Sequence, residues 1–147
     1  MLLALVMMLT LAGCSAAERS SIKKDVITPF EKACHEQDVK GILRCFDPSI
    51  SDPILTAVGF ADMLGITDYL DRFIGLIDNF TKIDATVDAF MESISIEPRE
   101  FTFNDTNDKC VVTADVSYQS GEKTKTITAT LRCVKIDGKW YLSRIGF

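Results

Sequence analysis

The second half of the chain alternates between apolar and polar residues with a period of two, which is typical of half-buried β-strands. We predict strands at 93–103, 110–118, 124–136 and 139–145. The dipeptides Gly121-Glu122 and Asp137-Gly138 favour tight turns between the last three strands. Because each strand follows directly on the one before it, we expect an antiparallel meander of about four strands.

The turn at Gly121-Glu122 also predicts the register of the hairpin that surrounds it. With these two residues at the tip, Val112 lies opposite Leu131, and Cys110 lies opposite Cys133 on the same face of the sheet. Facing Cα atoms in an antiparallel pair are about 4.5 to 5.5 Å apart, a distance that a disulfide tolerates. The hairpin therefore favours a bond between Cys110 and Cys133.

Four cysteines follow Cys14, and an even set of this size allows three disulfide pairings. Their spacing lacks the CxxC pairs of a zinc site, so we predict no metal. Disulfides are typical of extracytoplasmic proteins. If Cys110 pairs with Cys133, Cys34 is left to pair with Cys45. The alternative is that all four are buried free thiols that serve as small apolar side chains.

The first half of the domain shows the spacing of helices. Thr28-Pro29-Phe30-Glu31 has the pattern of a capping box with proline at the first helical position, and it predicts a helix that begins or restarts there and runs to about Gln37. Asp38 is expected to cap a second helix, which Asp47-Pro48 ends. From Pro53 to Phe80 apolar residues recur at helical spacing, so we expect two amphipathic helices within a helical insertion at 51–88.

The N-terminal segment from Met1 to Ala17 contains no charge and is rich in Leu, Met, Val and Ala. Its apolar part is shorter than the roughly 20 residues that span a membrane, and it matches the core of a signal peptide in length. The tetrapeptide that follows, Leu11-Ala12-Gly13-Cys14, resembles the lipobox of bacterial lipoproteins. The resemblance implies a cleaved signal peptide at 1–13 and a diacylglycerol group on the Cys14 thiol.

Such processing predicts a protein that is anchored to the extracytoplasmic face of a bacterial membrane without spanning it. Residues 14–21 are then the lipidated cysteine and a short polar linker, which reaches at most about 25 Å when extended. A single α+β domain is expected at 22–147, because nearly half of the composition is apolar. The net charge of −5 and the scattered Lys and Arg residues argue against a nucleic-acid partner.

Three segments of the chain together resemble the nuclear-transport-factor-two-like group, whose domain is a cystatin-like cone. They are the helical opening from Phe30 to Asp38, the sequence Cys45-Phe46-Asp47-Pro48, and the C-terminal run from Asp137 to Leu142. The resemblance implies a curved antiparallel sheet that is folded around N-terminal helices, with a pocket between them. The candidate pocket residues are Val116, Tyr118, Phe73, Phe80 and Trp140.

No residue of this sequence is assigned a catalytic role. His35 is the single histidine, and beside Glu31, Glu36 and Asp38 it is expected to be a solvated surface group. Tyr118 is predicted to face the interior without a catalytic partner. The polar run from Asn104 to Asp108 lacks the Gly and the distal Glu of a calcium loop, so it is expected to be a hairpin turn.

Two hypotheses about function follow. The first is a non-catalytic, membrane-anchored module of the cell envelope that binds a small apolar ligand, a peptide or another envelope protein, and it requires no cofactor. The second is a cone-fold lyase or isomerase that acts on a small molecule. The second requires a carboxylate or His35 to point inward beside Tyr118.

Overall fold

The computed structural model describes residues 15–61, 77–78 and 82–147. Its helices are α1 (residues 15–35), α2 (Val39–Arg44), α3 (Pro48–Ala61) and α4 (Val87–Ser93). Its strands are β1 (Ile77–Asp78), β2 (Ser95–Phe103), β3 (Lys109–Ser120), β4 (Lys123–Ile136) and β5 (Lys139–Gly146). Among these described helices, none combines the length and the apolar character that crossing a membrane requires.

The strands form one sheet in the order β1-β5-β4-β3-β2. The four longer strands are antiparallel, as predicted, while β1 pairs with β5 in parallel. The predicted register of the β3–β4 hairpin is confirmed, since Val112 pairs with Leu131 and Cys110 pairs with Cys133. Gly121 adopts the positive φ of 63° that a Gly-first hairpin turn requires.

Helix α1 is longer than the sequence predicts, and the expected capping box at Thr28 is wrong. Thr28 has helical backbone angles, and the residue before it makes no side-chain cap. A π-helical turn at Lys23–Ile27 ends two residues before Pro29. Proline has no N–H to donate within a helix and its ring crowds the preceding turn, so a locally widened turn lets α1 continue through it.

The end of α1 and the beginnings of α2 and α3 depend on residues that are close together in the sequence, so these boundaries are easier to predict. Gln37 has a φ of 52°, and the amide of Asp38 donates to the carbonyl of Ala33 at 2.9 Å, which is the C-terminal closure of a Schellman motif. The side chain of Asp38 then caps α2 by accepting from the amide of Gly41 at 3.0 Å. Asp47 caps α3 in the same way, through the amide of Ser49 at 2.8 Å.

The predicted helical insertion at 51–88 is only partly correct. Helix α3 begins earlier, at Pro48, and carries Pro53 inside it. Ile77 and Asp78, which were expected on a helix, instead form β1 beside Ile145 and Gly146 of β5. The free edge of β5 offers unpaired backbone groups, and pairing with them outweighs the helical spacing of the neighbouring sequence. The remainder of the second predicted helix lies outside the described residues.

Residues 15–21 are not an extended linker, because they form the first turns of α1. Ile22 and Val26 are fully buried and bring α1 onto one face of the sheet. Together with α2 and α4, α1 encloses a single apolar core whose sheet side consists of alternate residues from the strands. These residues are Ile96, Cys110, Val112, Ala114, Val116, Tyr118, Ala129, Leu131, Cys133, Trp140, Leu142 and Ile145.

Candidate functional site

The helix-covered face of the sheet is where a pocket is expected, and three of the five candidate residues lie there. Val116, Tyr118 and Trp140 are all at most 1% exposed and belong to the packed core. Phe73 and Phe80 lie outside the described residues, so a pocket that they help to line stays a prediction. In the part of this face that the structure describes, these three side chains therefore belong to the packed core.

Tyr118 has partners for both its ring and its hydroxyl group. Its ring packs edge-on against Phe90, with ring centroids 5.3 Å apart. Its hydroxyl oxygen accepts a hydrogen bond from the backbone amide of Asp84 at 3.3 Å. The carboxylate of Asp84 points away from Tyr118 and pairs with Lys125. The side chain of Asp84 is 76% exposed. Asp84 is therefore not an inward carboxylate beside Tyr118.

The hydrogen-bond contact of His35 is likewise not with Tyr118. It is exposed, as predicted, and its Nε2 atom is 2.6 Å from the carbonyl oxygen of Ile94. One turn earlier in α1, the carboxylate of Glu31 accepts from the amide of Ile96 at 3.0 Å. Both side chains thus attach the C-terminal half of α1 to the start of β2. His35 therefore does not point inward beside Tyr118.

Trp140 is the centre of the polar contacts between α1 and the sheet. Its indole N–H donates to the carboxylate of Glu18 at 2.7 Å, and its backbone amide donates to Asp25 at 3.1 Å. The second oxygen of Glu18 accepts from Lys135 at 2.6 Å. The hydrogen bond from Lys135 is the main reason that the pKa of Glu18 lies below its ordinary value, with Trp140 adding to it. A charge network therefore fixes the beginning of α1.

All four cysteines that we predicted to form disulfides are free, buried thiols in the structure. Burial raises the pKa to about 12 for Cys34 and Cys133 and to about 11 for Cys45 and Cys110. Because disulfide formation proceeds through the thiolate, these environments disfavour oxidation in the folded chain. The predicted partners are nevertheless close enough for the charge of one to raise the pKa of the other in both pairs.

The run from Asn104 to Asp108 is a hairpin turn between β2 and β3, as predicted. Its polar atoms bond to one another: the side-chain amide of Asn104 donates to Thr106 at 3.0 Å and to Asp108 at 2.5 Å. Thr106 also donates to Asp108 at 2.7 Å, and the hydrogen bonds from Asn104 and Thr106 hold the pKa of Asp108 below its ordinary value. Across residues 15–61, 77–78 and 82–147, no group of His, Cys, Asp and Glu side chains has the arrangement of a metal site.

The surface formed by the described residues includes two open depressions that are not predicted from the sequence. The larger, of about 570 Å³, is lined partly by outward-facing residues of the strands, among them Thr102, Val111, Arg132, Val134 and Ser143, together with Asp47. The smaller, of about 370 Å³, lies between α1, α2 and β5, and carries charges of both signs from Lys24, Asp25, Lys32, Glu36, Arg44 and Lys139. The sequence does contain a signal for the larger depression. Val111 is an exposed apolar residue among the otherwise polar outward-facing residues of β3.

Comparison with known proteins gives a likeness in structure alone. No family profile and no curated protein matches the chain. An NTF-2-like protein of unknown function from Shewanella oneidensis MR-1 superimposes with a TM-score of 0.53 at 13% identity, over 87% of this chain and 96% of that one. The chain has an NTF2-like fold. Its α+β class, with N-terminal helices packed on an open antiparallel sheet, is the one that the sequence predicts.

A second solved structure resembles the chain more weakly. It is a SEC-C motif-containing protein from Rhodopseudomonas palustris, with a TM-score of 0.46 at 14% identity, over 78% of this chain and 69% of that one. The NTF2-like fold is compatible with ligand binding and with lyase or isomerase activity. The function has to be argued from the residues of this chain.

Proposed function

We propose that the chain is a lipoprotein of the bacterial cell envelope, anchored through Cys14, whose NTF2-like domain is a non-catalytic binding module. The anchor rests on the tetrapeptide Leu11-Ala12-Gly13-Cys14 and the uncharged apolar segment before it. Two or three acyl chains hold a protein firmly, since each buried CH₂ contributes about 0.8 kcal/mol. The acidic body, with a net charge of −5, gains nothing from anionic headgroups, so the lipid supplies the attachment.

The observation that carries the binding role is the depression of about 570 Å³ around Val111. Its volume is within the range of ligand sites, and Val111 is an apolar side chain that is 41% exposed and lines the depression together with Arg132 and Asp47. A site for a small apolar ligand usually buries most of its occupant, whereas this depression is open. The shape therefore favours a segment of a peptide or of another envelope protein.

Intact-mass analysis of the membrane-extracted protein tests the anchor. We expect a mass that lacks residues 1–13 and includes a diacylglycerol group, and we expect a Cys14→Ala variant to leave the lipid fraction. A product that keeps its first thirteen residues, or a Cys14→Ala variant that stays in the membrane, would contradict the proposal. Repeating the measurement with reductant shows how many of the four buried thiols become oxidised in the exported protein.

Photo-crosslinking in intact cells tests the binding surface. A photoreactive amino acid at Val111 should give a defined cross-linked product with an envelope component. The same amino acid at Thr128, which is exposed on the same face of the sheet, is the matched control and should give little of that product. Equal products from both positions, or none from Val111, would count against this surface.

A further inference from the structure

The beginning of α1 is fixed at one particular end of the sheet. Glu18 bonds to Trp140, the second residue of β5, and to Lys135 near the end of β4. One residue later, the guanidinium of Arg19 lies 5.7 Å from the ring centre of Phe101 in β2. These contacts place the start of the helix beside the two turns at 104–108 and 137–138.

The two turns are neighbours at this end. The backbone amide of Lys135, just before the second turn, donates to the carbonyl of Asp108 in the first at 2.7 Å. We call the residues 104–109 and 135–139 the turn end of the domain. The opposite end carries the turn at Gly121-Glu122, and between them run the twelve residues of β3, a length of about 40 Å at ~3.3 Å per residue.

Little chain separates Cys14 from this end. Only three residues lie between Cys14 and Glu18, and even a fully extended chain spans these four Cα-to-Cα steps in about 14 Å. Residues 15–18 are helical, which shortens the reach further. Acyl chains on Cys14 therefore hold the turn end against the lipid, with no linker that would let the domain tumble.

We infer that the turn end is a membrane-contacting surface, which rests against phospholipid headgroups and leaves the Gly121-Glu122 turn far from the bilayer. This inference depends on the proposed acylation of Cys14. The charges of the turn end balance, since it carries three acidic and three basic residues, so the orientation comes from the helical tether and not from attraction to anionic lipid. The six residues are Asp105, Asp108, Asp137, Lys109, Lys135 and Lys139.

Fluorescence quenching by headgroup-labelled lipid tests this orientation. The acylated protein is placed in phosphatidylcholine vesicles that contain a nitroxide-headgroup lipid, and a fluorophore is attached to Asp105→Cys or to the matched variant Glu122→Cys. Both substitutions remove one exposed carboxylate, and the native thiols are buried and resist labelling. We expect quenching several-fold stronger at position 105 than at position 122.

An insertion variant separates the tether from other causes. Twenty Gly and Ser residues inserted between Cys14 and Ser15 add about 25 Å of flexible chain, and they should bring the quenching at the two positions close together. Vesicles with added phosphatidylglycerol should leave the original difference unchanged. Equal quenching without the insertion, or an unchanged difference with it, overturns the inferred orientation.

Mass analysis of the same sample distinguishes the two proposals. A chain without acyl mass refutes the proposed anchor, and this inference fails with it. An acylated chain whose two labels are quenched equally refutes the orientation alone and leaves the anchor intact. An acylated chain with strong quenching only at position 105 supports both.

Discussion

The β3–β4 hairpin and helix α1 pack against each other, yet they depend on different kinds of information. In the hairpin, one turn and strict alternation determine which residues face each other from Lys109 to Val134. In α1, the contacts that place the helix on the sheet depend on distant parts of the chain. Glu18 and Asp25 meet Trp140 across 122 and 115 residues of sequence, and Glu31 meets Ile96 across 65.

This difference shows where local patterns are sufficient in an NTF2-like domain. A one-residue shift in the hairpin would turn every apolar side chain toward solvent, so the alternation itself enforces the register. A helix on the sheet has no equivalent constraint from its own sequence. Its position is determined by buried side chains such as Ile22 and by carboxylates that find backbone or indole N–H groups on the sheet.

The largest expected effect comes from removing a buried side chain in the first part of α1. Ile22→Ala should lower the free energy of unfolding by about 2–5 kcal/mol, because Ile22 is fully buried and its loss leaves a cavity. Leu131→Ala, at a similarly buried position in β4, is the matched variant from the sheet. Urea unfolding of both variants measures these losses.

Similar losses for the two variants would mean that residues before position 23 belong to the cooperative unit of the domain. A loss well under 1 kcal/mol for Ile22→Ala, with a normal loss for Leu131→Ala, would mean that the start of α1 detaches before the domain unfolds. That result would restore the short linker that the sequence predicts.

A smaller effect is expected at the turn of the hairpin. Gly121→Ala should cost about 1–2 kcal/mol, because a side chain disfavours the positive φ at this residue. No atom lies within 4 Å of a Cβ built there, so the cost is conformational and involves no clash. Glu122→Ala is the control and should change stability by less than about 0.5 kcal/mol. Equal stability of Gly121→Ala and the unmodified chain would contradict a register that depends on this turn.

The smallest expected effect concerns the charge of Glu18. Its pKa is lower in the folded chain than its ordinary value of 4.5, chiefly through the hydrogen bond from Lys135. The ionised carboxylate therefore stabilises the fold above about pH 4.5, and this contribution is lost as the pH falls through the lowered value. Glu18→Gln should cost roughly 1 kcal/mol at neutral pH and progressively less as the pH falls below 4.5.

Thermal unfolding of the unmodified chain and of the Glu18→Gln variant between pH 3 and pH 7 measures this dependence. The Lys135→Met variant tests the same contact from its other partner, because it removes the hydrogen bond that is the main cause of the lowered Glu18 pKa. A stability difference between the unmodified chain and Glu18→Gln that stays constant over this pH range would contradict a role for the carboxylate charge in holding α1 on the sheet.

The parts of the fold that the sequence predicts are those with short-range signals. The four long strands, the two tight turns, the Asp38 cap and the end of α2 before Pro48 all follow from residues within one or two turns of each other. The capping box at Thr28 has the right residue types but is wrong, because Glu31 bonds to the backbone of β2 instead of to its own helix. β1 was missed since its partner, β5, lies far away in the sequence.

The candidate site is less predictable for a related reason. Alternation correctly predicts that Val116 and Tyr118 face the interior, but it contains no information on whether the interior leaves a space beside them. That depends on how side chains from α1 and α4 fill the volume, and Phe90 occupies the position against Tyr118. The depression around Val111 depends in the same way on Asp47, which arrives from the loop before α3.

The margins of the sheet bear on how the protein behaves when many copies are crowded together. At one margin, Phe46 bridges to Leu142 and β1 pairs with Ile145, so part of the outer side of β5 is already occupied. At the other, Pro98 and the irregular register up to Glu100 interrupt β2, and Glu31 engages the amide of Ile96. Both margins are poor templates for a foreign strand. Copies of the domain crowded together at high density would thus resist merging their sheets into aggregates.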